Sequence, residues 1–114
     1  SASPVTVSTD SAERARRYAP EVEAALYFCC MEALQNAAKH AEGAPVSITL
    51  TESDGVLRVV VEDHGPGFDP TIVHAGHGLG NMADRVGAIG GAFAVDTAPG
   101  HGVRITASVP VGHR

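Results

Sequence analysis

Two runs of β-branched residues, VSITLTES and VLRVVVED, meet at Asp54-Gly55, and this junction constrains the rest of the chain. An Asp-Gly pair between partly alternating apolar runs is a strong hairpin signal, because both residues tolerate the positive φ of a tight turn. Residues 46–63 are therefore expected as two antiparallel strands. A second pair of runs, AFAVDTA and VRITASVP, flanks the turn PGHG and reads as another hairpin with alternating faces.

Ahead of the first hairpin, VTVST (5–9) alternates like a short strand. DSAERARRYA follows, with Asp10 or Ser11 as a helix cap and Glu13 in the first turn. Pro20 then restarts the chain with Glu21 and Glu23 behind it, and helical composition runs unbroken to Ala41 before EGAP stops it. Between the hairpins lie the glycine-rich HGPGFDPTIVHAGHGLG and then NMADRVGAIGG, where Met82, Val86 and Ile89 are helically spaced and a glycine pair closes the run. The order β, α, α, β, β, loop, α, β, β predicts an α+β fold, a two-layer α/β sandwich. Its mixed, largely antiparallel sheet should be covered by helices on one face.

At 114 residues, 44% hydrophobic and 18% charged, the chain suits one two-layer core and not two, so residues 1–114 read as a single domain. Both ends read as cuts from a longer protein. The net charge of -5 leaves no broad electrostatic footprint for nucleic acid, so any anionic ligand must be held by local donors. Cys29 and Cys30 are adjacent on one helix, point about 100° apart and do not pair readily, which fits a reducing, cytoplasmic setting. No apolar run approaches the roughly 20 residues that span a bilayer.

The long helical run carries a polar stripe. Glu32, Asn36, Lys39 and His40 fall within about 100° of one another around the helix. A solvated face would explain that spacing, but it would also continue upstream, where the same face carries Ala25, Phe28 and Cys29. The stripe begins where the helix passes from core to the mouth of a cavity. A carboxylate, an amide and a cation converging there suit a metal-phosphate ligand.

Two glycine loops follow. DHGPGFD (63–69) leaves a hydrophobic strand, so Asp63 is anchored at the strand end and can accept from the exocyclic amine of a base, while Gly65 and Gly67 let backbone approach closely. GHGLG (76–80) opens the next helix, where bare N–H groups favour an anion such as phosphate. A dinucleotide site using this loop and Asp96 is disfavoured: the spacing is GxGxG, little chain follows Asp96, and the Asn36 stripe goes unexplained. A zinc site lacks paired ligand spacing.

MEALQNAAKHA, DHGPGFD and AGHGLGNMADRVGAIGG, followed by TAPGHGVRITASVP, resemble the asparagine box, the two glycine boxes and the terminal hairpin of the ATP-binding catalytic domain of sensor histidine kinases. That domain belongs to the superfamily shared with gyrase, Hsp90 and MutL. The likeness covers residues 5–110, and NMADRV is similar to the GMxxRV of kinases that partner NarL/LuxR-type response regulators.

The resemblance implies a Bergerat-type fold, binding of ATP with Mg²⁺, and phosphoryl transfer to a histidine on a separate domain. By it, Asn36 is the Mg²⁺ ligand, and Glu32 is the catalytic residue that orients or activates the attacking group. Lys39 and His40 face the phosphates, Asp63 binds the adenine amino group, and Gly65 and Gly67 floor the base pocket. Gly76, Gly78, Leu79 and Gly80 belong to the lid hinge over the triphosphate, and Arg85 reaches a phosphate.

None of the six histidines, His40, His64, His74, His77, His101 and His113, has the context of a phosphoacceptor. The isolated domain is thus expected to be monomeric and to bind nucleotide with little autophosphorylation. The partners implied are its own dimerisation or histidine phosphotransfer domain and, through the full kinase, a response regulator of NarL/LuxR type. The domain is expected in the cytoplasm, with a parent that is either soluble or membrane-anchored. Departures are Val103, where the family often has Thr, His64 in place of a commoner Asn, and His77 within the lid. A serine kinase of the anti-sigma-factor type and a non-catalytic ATP-sensing module are the alternatives on the same fold.

Overall fold

The computed structural model describes residues 4–9, 18–69 and 78–112. Its elements run β1 (Val5–Thr9), α1 (Pro20–His40), β2 (Val46–Ser53), β3 (Val56–Asp63), α2 (Leu79–Ala88), β4 (Ala92–Thr97) and β5 (Val103–Pro110). The expected short helix after β1 and most of the expected lid, including Gly76 and His77, lie outside the described residues.

Asp54 and Gly55 both adopt positive φ, 53° and 75°, and Ser53 pairs directly with Val56. Both central residues are left-handed, as in the two-residue turn that matches strand twist. The five strands are ordered β1-β2-β3-β5-β4; β1 runs parallel to β2 across the α1 crossover, and every other pair is antiparallel. The sheet is therefore mixed and largely antiparallel, as expected.

Alternation along the strands divides its faces. Val46, Ile48, Leu57, Val59, Val61, Ile105, Ala107 and Val109 are buried beneath the helices, whereas Arg58 and Arg104 between them are exposed on the other face. There Arg104 Nε reaches Glu62 Oε2 at 3.8 Å across the strands.

α1 begins at Pro20, which needs no N–H partner in the first turn. Glu21 and Glu23 lie near its positive end, and Lys39 and His40 near its negative end. Its buried stripe changes character along its length: Val22, Leu26 and Cys29 in the first half, Ala33 and Ala37 in the second, with Ala41 at the cap. Small side chains let the second half lie close to the strand ends.

α2 is anchored by Met82 and Val86, both without solvent exposure, each stabilising the fold by about 1.5–3 kcal/mol through burial. It ends with the Gly91 N–H on the Val86 carbonyl and the Gly90 N–H on Gly87, the paired bonds of a Schellman cap.

Burial, reinforced by the neighbouring Cys30, pushes the Cys29 thiol up to about 11. A raised pKa means folding favours the protonated thiol. Its stabilisation is therefore complete below the unfolded value of 9.0 and is lost as pH rises toward 11. A thiol-specific reagent at neutral pH is expected to leave Cys29 unmodified in the native chain and to modify it only on unfolding. Rapid modification of native Cys29 would contradict this.

Candidate nucleotide-binding site

The last turns of α1 and the ends of three strands converge at one end of the sandwich. Register places Val46, Asp63, Val103 and Thr97 in one row across β2, β3, β5 and β4, on the helix side of the sheet. Asp63 is thus aimed toward α1. Its Oδ1 accepts the Gly65 N–H at 3.0 Å, a local turn that orients the carboxylate. A narrow cleft of about 20 Å³ is lined by Asn36, His40, Ala41, Asp63, Gly67, Phe68, Leu79 and Val103. That is room for one or two waters.

The loop after Asp63 is interlocked with its surroundings. A Cβ at Gly65 would collide with Ala41, and one at Gly67, whose φ is 66°, would collide with the carbonyls of Ala98 and Gly102. The Gly100 N–H donates to the Pro66 carbonyl at 2.6 Å, and the His64 N–H to the Pro45 carbonyl at 3.2 Å. Backbone, not side chain, fills this junction.

Glu32 lies one turn upstream of Asn36, half-buried, against the start of α2. A Cβ at Gly78, whose φ of 67° makes it a left-handed cap, would come within 2.5 Å of Glu32 Oε1. The cap residue itself offers no side chain to the first N–H groups of α2, which open beside Glu32.

Of the residues expected from sequence, the cleft brings together Asn36, His40, Asp63, Gly67 and Leu79, with Gly65 beneath and Glu32 and Gly78 beside it. Lys39 is exposed on the last turn of α1, and Gly80 is exposed in the first turn of α2 with open space around it. Arg85 is engaged elsewhere: its guanidinium carbon sits 4.1 Å from the centre of the Phe28 ring, bracing α2 on α1 upstream of Glu32. Phe68 and Ala41 escaped sequence reasoning, as did Thr97, which sits opposite Val103 with its hydroxyl buried.

Asp96, the acid that a dinucleotide site would need, is exposed and pairs in register with Arg104 on the face away from the helices. It cannot share a ligand with the start of α2. Among the described residues no three His, Cys, Asp or Glu side chains form a metal cage. A cation here would draw most of its ligands from a phosphate chain and water, with the Asn36 amide oxygen as a protein donor, a donor set that fits Mg²⁺.

The family described as histidine kinase-, DNA gyrase B-, and HSP90-like ATPase matches residues 21–113. The chain belongs to this family. As a member of the histidine kinase-like ATPases it is similar to the signal transduction histidine-protein kinase/phosphatase DegS of Brevibacillus brevis, 36% identical over 86% of this chain and 26% of that protein. It is also similar to the signal transduction histidine-protein kinase/phosphatase UhpB of Salmonella typhimurium, 36% identical over 75% of this chain and 17% of that protein. Among solved structures, the histidine kinase domain of the Erythrobacter litoralis blue-light activated histidine kinase matches with a TM-score of 0.70 and 26% identity, over 96% of this chain and 52% of that one. The chain therefore spans about a quarter or less of the two curated relatives. Family and fold make it an ATPase-type, ATP-binding catalytic domain of the histidine kinase class. No helix among the described residues is long and apolar enough to cross a membrane.

The glycines of this ATP-binding domain divide by environment. Gly67→Ala is expected to destabilise the domain by about 2 kcal/mol or more, because it combines a left-handed backbone with carbonyl clashes. Gly80→Ala, in a helix with free space, is expected to stabilise it by about 0.5–1 kcal/mol. Chemical denaturation of the two variants checks both signs; equal effects would contradict the interlock.

Proposed function

We propose that this domain binds MgATP and supplies the γ-phosphoryl group to a histidine on the dimerisation domain of a two-component sensor kinase. Through that kinase the phosphoryl group passes on to a response regulator of NarL/LuxR type. The observation that carries the reading is the convergence of Asn36, Asp63 and Leu79 on one cleft, with the Glu32 carboxylate against Gly78 beside it.

In this reading Asp63 Oδ2 accepts the adenine exocyclic amine, while Gly65 and Gly67 bring backbone close enough to floor the base. The Asn36 amide oxygen holds Mg²⁺, which when bound neutralises charge on the phosphate oxygens. Lys39 and His40 face the phosphates from the end of α1. Gly78, Leu79 and Gly80 border the triphosphate, as Gly76, outside the described residues, does by the family resemblance, and N–H groups at the start of α2 donate to phosphate oxygens. Glu32, one helical turn from Asn36, orients the incoming imidazole or accepts its proton. Arg85 reaches a phosphate only if it leaves the Phe28 ring, so its first role is to brace the helices. Positioning and charge neutralisation supply most of the catalysis in such transfers. The domain works in the cytoplasm, where ATP and the regulator are found.

Calorimetric titration with a non-hydrolysable ATP analogue is expected to show binding that strengthens with Mg²⁺. Asn36→Ala should remove the Mg²⁺ dependence while the fold persists, and Asp63→Asn should weaken ATP more than GTP. A purified chain indifferent to adenosine nucleotides at millimolar concentration would overturn the reading.

A further inference from the structure

The two loops that wall the cleft are joined by one hydroxyl. Thr97 closes β4, is 9% exposed, and lies in the row that contains Asp63 and Val103. Its Oγ1 donates to the Gly102 carbonyl at 2.6 Å and accepts the Phe68 N–H at 3.2 Å. Phe68 lines the cleft, and the Gly102 backbone packs so closely that a Cβ there would collide with the Asp63 carbonyl. One side chain thus reaches both the residue that walls the cleft and the turn residue packed on the strand end that carries its carboxylate.

We propose that Thr97 is a positioning residue for nucleotide binding: it touches no ligand, but ties the loop after β3 to the β4–β5 turn and so sets the shape of the base pocket. This inference rests on the nucleotide reading of the cleft. The argument is one of satisfaction. A hydroxyl is the smallest group that donates and accepts at once. An isosteric valine would take from the Gly102 carbonyl its Thr97 donor and from the Phe68 N–H its Thr97 acceptor. The second tie between the loops, from the Gly100 N–H to the Pro66 carbonyl, would persist, so the hairpin would stay docked while the Phe68 backbone loses its bond to Thr97. The loss should fall on the base and spare the phosphates, because Thr97, Phe68 and Gly102 all lie on the Asp63 side of the cleft.

The test compares Thr97→Val and Thr97→Ser with the unaltered chain, using adenosine, ADP and a non-hydrolysable ATP analogue with Mg²⁺ as probes and thermal unfolding as the control for folding. Thr97→Val is expected to weaken all three probes by a common factor of about ten, and Thr97→Ser to restore binding to within about threefold. Unchanged affinity in Thr97→Val, a loss confined to the triphosphate, or a serine variant as weak as the valine variant each overturns the proposal while leaving the nucleotide reading intact. Failure of the unaltered chain to bind any probe overturns both together. Should Thr97→Val not fold, hydrogen exchange at the Phe68 amide of the unaltered chain decides. Protection of about tenfold or more over the unstructured rate supports the tie, and exchange at the unstructured rate overturns it.

Discussion

Glycine backbone packs directly on its neighbours where the ends of β3, β4 and β5 come under the last turn of α1. Gly65 sits on Ala41, Gly67 under the carbonyls of Ala98 and Gly102, and Gly102 against the carbonyl of Asp63. Each contact is possible only without a Cβ, and together they hold three chain segments closer than ordinary packing permits. Asp63 points at α1 because its strand ends inside this junction, and Asn36 faces the same cleft because Ala33, Ala37 and Ala41 let the helix descend there. The site is a consequence of how closely the loops approach.

That arrangement divides the domain into two ends with different sources of stability. The fully buried large side chains, among them Met82, Val86, Val109 and Cys29, fill the body of the sandwich, where each removes substantial apolar area from water. At the site end the buried helix positions are alanines, and cohesion comes from the Thr97 hydroxyl, the Gly100 bond to Pro66 and the turn around Asp63. Hydrogen bonds of this kind contribute about 1 kcal/mol each, less than a buried leucine or methionine. The site end is therefore the more readily rearranged.

Periodicity made the frame legible. Asp54-Gly55 between β-branched runs, the restart at Pro20 and the closing glycine pair after Ile89 each specify a local conformation, and the observed elements begin and end at those signals. The polar stripe on α1 was legible for the same reason, since Glu32 and Asn36 share a helix face whatever the helix packs against. What local pattern did not reveal is long-range pairing. That Thr97 stands opposite Val103, with Asp63 one strand further, depends on the register of three strands distant in sequence. The parity that puts Asp96 on the open face was readable only once β4 was known to bury Thr97. Arg85 illustrates the converse: a basic residue after a glycine loop invites a phosphate, yet an aromatic neighbour from another helix claims it.

Electrostatics then bears on why a cation should matter to this site. The chain carries a net charge of -5, so a nucleotide triphosphate gains nothing from the long-range field of the domain and must be held by short-range donors. Those nearest are the N–H groups in the first turn of α2, a helix end worth about half a charge, and the basic last turn of α1 at Lys39 and His40. Against them stand Glu32, whose carboxylate already lies against Gly78, and Asp63 on the base side. One carboxylate lining the cleft and one beside it offset part of the attraction that a helix terminus offers a polyanion. In the proposed reading further positive charge comes from a hydrated divalent cation riding on the phosphates, for which the Asn36 side chain lining the cleft offers a neutral ligand that adds no negative charge.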